Sequence, residues 1–168
     1  MTIISFLTWV NELPWSIALR ESTWMYPIVE SVHSVGIALF VGLLLLWDLR
    51  LVGFGLIHMP VSRVWTRLFP WIVGGALIMM TTGVMLFFSK PLYFWGNVYF
   101  RVKLATLFLA ALNAAAFHLG IEKKMVNWDT AATPPFAARF AGVSSMLLWA
   151  GAIVFGRFIA YNWYPQLF

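Results

Sequence analysis

The residues of this chain equipped to do chemistry are ionisable side chains set inside long apolar runs. His33 is the first of them. It stands in residues 25–50 (MYPIVESVHSVGIALFVGLLLLWDLR), where apart from Glu30 nothing else is ionisable before Asp48, and Gly36 follows one turn later. Such a side chain is expensive in hydrocarbon and marks a functional site by default. The chemistry open to an imidazole there is ligation. Haem iron takes histidine as its usual axial ligand and is tuned by the second ligand, by burial and by hydrogen bonding.

Depth singles out the residues that would work with it. Read as helices rising 1.5 Å per residue, the apolar runs place His33 about 12 Å in from one face of a bilayer, Lys103 about 8 Å, Thr81 to Gly83 about 10 Å and Arg157 about 6 Å. His33 and Gly36, Thr82 and Gly83, Lys103 and Thr106, and Arg157 thus form one layer of polar or small residues drawn from separate runs. At 100° per residue, Val29, Gly36, Phe40 and Trp47 fall within about 60° of His33, and Thr106, Ala110 and Phe117 within a similar arc of Lys103. Glycine for close approach and rings for packing suit a flat macrocycle between helices. The expected site is therefore one b-type haem with His33 as axial ligand, and the depths point across the bundle to Lys103 as a candidate for the second. Arg101 and Arg157 are placed to neutralise the propionates, since guanidinium pairs with carboxylate through two hydrogen bonds.

Each of these residues also has a structural use. A membrane histidine can be a helix–helix hydrogen-bond partner, and glycines such as Gly74, Gly75 and Gly83 can serve helix packing alone. Lys103 can snorkel to the interface or pair with Glu30, and the two arginines can be interfacial anchors. His118 lies at the far end of its run, about 18 Å from His33 in depth, too far to share an iron with it. His58 also lies toward that far side. Three histidines cannot supply two bis-histidine haems, and with no cysteine, thiolate metal sites and thioether-linked haem are excluded.

The elements that must position this layer follow from composition. Of 168 residues, 62% are hydrophobic and 10% charged, with a mean hydropathy of +0.85. A soluble domain carries about 25% charged residues, so the composition points to a polytopic membrane protein. The expected fold is all-α: a four-transmembrane-helix bundle forming one membrane domain, residues 1–168, with spans at about 25–47, 69–89, 98–119 and 140–161. Residues 1–23 lack the basic start and small-residue cleavage site of a signal peptide. With Asn11, Glu12 and Pro14 breaking their apolar run, they read as one or two short helices in the interface. Residues 90–97 read as a short turn, and residues 120–138 as an interfacial segment ended by Pro134 and Pro135.

Four spans put both termini on one face, the terminal side. The opposite loop side holds Arg50, Arg63, Arg67, Lys123, Lys124 and Arg139. That excess of positive charge places the loop side in the cytoplasm and the termini in the periplasm of a bacterial inner membrane. The net charge of +5 contains no dense basic run, so nucleic acid is not an expected partner. The expected partners are the lipid bilayer and a redox partner protein or a quinone, with a homo-oligomer or a larger membrane complex as further possibilities.

The run ESVHSVGIALFVGLLLLWDLRL resembles the first helix of the HemJ-type protoporphyrinogen IX oxidases, with its early histidine, midway glycine and closing arginine. VSRVWTRLFPWIVGGALIMMTTGVMLF resembles their second helix, and RVKLATLFLAALNAAAFHLG their third, with an early lysine and a terminal histidine. The resemblance covers about residues 28–120 and extends loosely to copper-resistance D-type four-helix membrane proteins. It implies b-type haem tied to a first-helix histidine and a third-helix lysine, which match His33 and Lys103. Electron transfer is the expected role. A protoporphyrinogen IX oxidase-like enzyme and a cofactor-free scaffold or accessory subunit are the alternatives.

Overall fold

The computed structural model describes residues 2–161. Seven α-helices follow in order: α1 (Ile3–Asn11), α2 (Pro14–Glu21), α3 (Met25–Val52), α4 (Val61–Ser89), α5 (Pro91–Gly96), α6 (Val98–Ala116) and α7 (Phe136–Phe158). A π-helical turn, Phe117–Ile121, and a 3-10 turn, Glu122–Asn127, extend α6, and a second 3-10 turn, Ile159–Tyr161, extends α7. No strand occurs among the described residues. The segments Met25–Val52, Val61–Ser89, Val98–Asn127 and Phe136–Tyr161 are each long and apolar enough to cross a membrane. The chain is an all-α, multi-pass membrane bundle.

The helix ends are set by local chemistry. Pro14 and Pro91 sit at the first positions of α2 and α5, where the missing N–H removes nothing. The Asn97 side chain accepts from the N–H groups of Tyr99 (2.9 Å) and Phe100 (3.3 Å) and starts α6. Helix α3 stops at Gly53, whose φ of 87° lies in the left-handed region. A Cβ there would also stand 3.2 Å from the Ala132 carbonyl oxygen. The start of α4 is capped from a distance. Asp129 accepts from the Ser62 N–H at 2.7 Å and from its hydroxyl at 2.8 Å.

In a membrane, helices associate by close packing of small residues. Helix α4 packs along α3, α3 on α7 and α7 on α6. Gly75 of α4 meets the backbone of Phe40, where a Cβ would lie 2.9 Å from the Phe40 nitrogen. Gly36 of α3 meets Ile78 and the Met79 backbone, and Gly142 of α7 meets the Asp48 carbonyl. Helix α6 reaches α3 and α4 at its two ends. Phe100 stacks on Phe87 at the terminal side, with centroids 5.5 Å apart. At the loop side Phe117 packs edge-on against Trp47, and the His118 ring lies tilted against Trp65. That loop-side end is also where the main buried cluster sits, built from Trp47, Leu51, Val61, Val64, Phe117 and Met125 with two alanines.

Arg50 lies at this end and is fully buried. Its Nε donates to the Met59 carbonyl at 2.9 Å and one terminal nitrogen donates to Ala131 (3.1 Å) and Asp129 (3.4 Å). It is an internal tie between α3 and both loop-side connections. Among the loop-side basic residues named from sequence, Arg50 is therefore not an exposed cation, whereas Arg63, Arg67, Lys123, Lys124 and Arg139 are exposed.

The N-terminal residues, expected as one or two short helices, form two, and these cover the terminal end of the bundle. Helix α1 packs on α5, and α2 on α3 and α4. Leu7, Val10 and Leu19 are buried beneath them. Trp15 meets Phe88 edge-on, and Arg20 donates to the Asn11 side chain and to the Ser89 carbonyl. Four boundaries differ from the sequence reading: α3 runs on to Val52 rather than 47 and α4 starts at Val61 rather than 69, and two more lie further along the chain. Residues 91–96 are helical because Pro91 starts a turn whose ends, Pro91 and Gly96, are buried. Helix α7 starts at 136, directly after Pro135 in extended conformation.

Candidate functional site

His33 lies on the α4-facing side of α3, near the terminal side. Its Nδ1 is 2.9 Å from the Thr82 hydroxyl oxygen. Thr82 has one hydroxyl hydrogen and directs it to the Ile78 carbonyl at 2.6 Å, a helical back-bond to the preceding turn. Thr82 Oγ1 therefore accepts from His33, and Nδ1 carries the proton. The neutral ring then has its lone pair on Nε2.

Gly83 makes room for the imidazole: a Cβ at that position would stand 3.2 Å from Cε1 and 3.7 Å from Nδ1. Thr82 thus fixes the ring by one nitrogen, while Gly83 lets its edge lie flat on α4. The ring cannot rotate to exchange its nitrogens without losing the hydrogen bond.

Lys103 approaches from α6. Its Cδ, Cε and Nζ pass 3.4 to 3.6 Å from the place a Gly156 Cβ would take, so the stem crosses α7 at a glycine. The ammonium lies within electrostatic reach of His33. No ion pair joins it to Glu30, which is exposed. Thr106, one turn on, donates its hydroxyl to the Lys103 carbonyl at 2.7 Å, and its methyl lies over Gly151.

The structure therefore brings His33, Thr82, Gly83 and Lys103 to one region of the bundle. The other residues expected in the layer do different things. Gly36 faces the α4 backbone and serves the α3–α4 crossing. Arg101 donates from Nε to the Trp95 carbonyl at 2.9 Å and lies over the Trp95 ring. Arg157 is exposed and lies over the Tyr161 ring. Both guanidinium groups are thus engaged with aromatic rings at the terminal end.

Three features escaped the sequence reading. Gly156 seats Lys103, but its partner is remote in sequence. Asp48, read only as the residue ending an apolar run, is 3% exposed and lies beside the Ser145 side chain. His118, on the π-helical turn, is bonded through Nδ1 to Glu122 four residues on, a spacing visible in the sequence. Among the described residues no three histidine, aspartate or glutamate side chains gather. A haem iron asks the protein for only one or two axial side chains.

No curated protein and no solved structure matches the chain. A protein-family model matches residues 21–162, which takes in all four spanning segments together with His33, Thr82, Lys103 and Arg157, and the chain belongs to that family, DUF6644, a family of unknown function.

Proposed function

We propose that the chain holds one b-type haem toward the terminal side of the bundle, through Nε2 of His33 and with Lys103 as the second ligand, and serves electron transfer. The observation that carries this reading is the His33–Thr82 hydrogen bond. Histidines that ligate a metal donate their other ring N–H to a fixed acceptor, which sets the tautomer and the ring plane. Thr82 plays that part, and its own proton is committed to Ile78. Lys103 brings an amine from the opposite side of the bundle, its stem accommodated by Gly156. Haem bound there would supply one-electron exchange with a redox partner protein or a quinone.

The setting proposed is a bacterial inner membrane with periplasmic termini. With Arg50 taken inside, five exposed basic residues still stand on the loop side: Arg63, Arg67, Lys123, Lys124 and Arg139. The likeness to HemJ-type oxidases is part of the same proposal, resting on the helix motifs around His33 and Lys103.

A second reading has its own support, because the His33–Thr82 bond also joins α3 to α4 directly. As a helix–helix tie it would suit a cofactor-free accessory subunit. One measurement separates the two. The purified protein, oxidised and then dithionite-reduced, is expected to show a Soret band and reduced α and β bands that His33→Ala abolishes. No band, or a band that His33→Ala leaves unchanged, overturns the haem reading.

A further inference from the structure

A groove of about 220 Å³ runs between α3 and α7, bounded by residues between Val41 and Asp48 on one helix and between Met146 and Ile153 on the other. Leu45 and Ile153 line it and are 44% and 43% exposed, so it opens sideways toward the bilayer. Its loop-side end is closed where Gly142 packs against the Asp48 carbonyl and Leu51. Its other wall is Trp149, held edge-on by Phe40 at 4.8 Å.

Asp48 is the polar member of this otherwise apolar lining. A carboxyl group among hydrocarbon neighbours is costly and needs hydrogen-bond partners. Among the described residues the Ser145 hydroxyl is the neighbouring side-chain donor, and a hydroxyl has a single hydrogen to give. A carboxylate offers about four acceptor positions. Acceptor capacity is thus left on a group that faces the groove.

We propose that this groove binds a lipid-soluble hydroxylated ring of the quinol class, whose ring hydroxyl donates to the Asp48 carboxyl while the ring lies against Trp149. Size supports a ring: an apolar cavity of about 150 Å³ holds benzene, so this groove takes a substituted ring with the start of a tail. The sideways opening suits a ligand delivered by the bilayer. A site with one polar anchor in an apolar cleft is the usual form of small-molecule recognition. The proposal goes beyond haem binding and does not depend on it.

The test is equilibrium binding of radiolabelled decylubiquinol to the full chain in nanodiscs, kept reduced and anaerobic, beside the dimethyl ether of the same quinol. Wild type is expected to bind the quinol saturably and about tenfold more tightly than the ether, the worth of one hydrogen bond to a charged or polar anchor. Asp48→Asn, which keeps the shape and an acceptor for Ser145, should remove most of that preference. Ala150→Phe fills the groove without touching Asp48 and should weaken both probes by about tenfold or more. Each variant is read only with its melting temperature beside it, so that a folding defect in one leaves the other decisive. Equal affinity for quinol and ether in wild type, meaning an acyl-chain site only, overturns the proposal. So does unchanged quinol binding in a well-folded Ala150→Phe protein. Because occupancy is read by radiolabel, these outcomes stand whether or not the protein carries haem.

Discussion

Gly83 of α4 lies against the imidazole of His33 on α3, where a Cβ would come within 3.2 Å of Cε1. The contact is tight enough that the ring must move by a few tenths of an ångström for alanine, and much further for a branched side chain. Since Thr82 holds the other edge of the ring, movement at one edge is strain at the other. Gly83→Ala is expected to fold and to keep His33 in place at slight cost. Gly83→Val should displace the ring and lower stability by about 1–3 kcal/mol, the usual range for overpacking. Melting temperatures in detergent check the stability arm. The loss of any Soret band in the valine variant alone checks the link to ligation.

Thr82 offers the complementary test from the hydrogen-bond side. Thr82→Val preserves shape and removes the acceptor of the Nδ1 proton, whereas Thr82→Ser retains it. If Thr82 orients a ligand, the valine variant should lose about 10–100-fold in haem affinity, the range for outer-shell partners of metal-bound histidine. If the bond only ties α3 to α4, the loss is confined to stability and is about 0.6 kcal/mol, the average for hydrogen bonds between membrane helices. Haem titration of the apoprotein, followed by absorbance, distinguishes the two outcomes.

The adjacent glycines Gly74 and Gly75 make a matched pair. A Cβ at Gly75 would lie 2.9 Å from the Phe40 nitrogen and 3.1 Å from its Cα, and both of these are backbone atoms. A Cβ at Gly74 would meet nothing within 4 Å. Gly75→Ala must therefore push α4 away from α3 and should cost about 1–3 kcal/mol, while Gly74→Ala should change stability by no more than about 0.5 kcal/mol. Thermal or denaturant unfolding of both variants in one detergent reads the difference.

The same pair shows where sequence reading stops. The apolar runs, their lengths and the shared depth of His33, Thr82 and Lys103 are legible because hydropathy and helical rise are local properties. The two N-terminal helices are legible for the same reason, from Asn11, Glu12 and Pro14. Which of two neighbouring glycines faces a partner helix is not local; it depends on a crossing with Phe40, far away in the chain. Gly36 shares a face with His33 by periodicity, yet the crossing places it on the α4 backbone. Arg50 counts as a loop-side cation in the sequence. Its partners are carbonyls of two separate connections, which no spacing rule reveals.

Arg50 is accordingly expected to matter to folding more than its position suggests. Arg50→Met would leave the carbonyls of Met59 and Ala131 without their donor, and each buried polar group so orphaned costs about 1–3 kcal/mol. Arg50→Lys restores charge but not the fork that reaches both connections. Both variants should lower the melting temperature, methionine more than lysine. Protease cleavage should become faster within residues 53–60 and 128–135, which Arg50 ties down. Unaltered cleavage of these connections in a variant that unfolds earlier would count against this role.

Lys103 separates a ligand from a charge that merely lies nearby. Lys103→Met keeps the apolar stem that crosses α7 at Gly156 and removes the amine. If the amine ligates, its loss opens one axial position while His33 keeps the other. The absorption spectrum should then shift toward five-coordinate iron, and the oxidised protein should bind cyanide more readily. Gly156→Leu should produce the same shift with Lys103 intact, because a side chain there occupies the path of the stem. If instead Lys103 acts only through its charge on His33, Lys103→Met should change the redox midpoint while leaving the coordination bands as they are. A spectrum and a midpoint both equal to wild type would remove Lys103 from the site and leave His33 as the sole protein ligand to be explained.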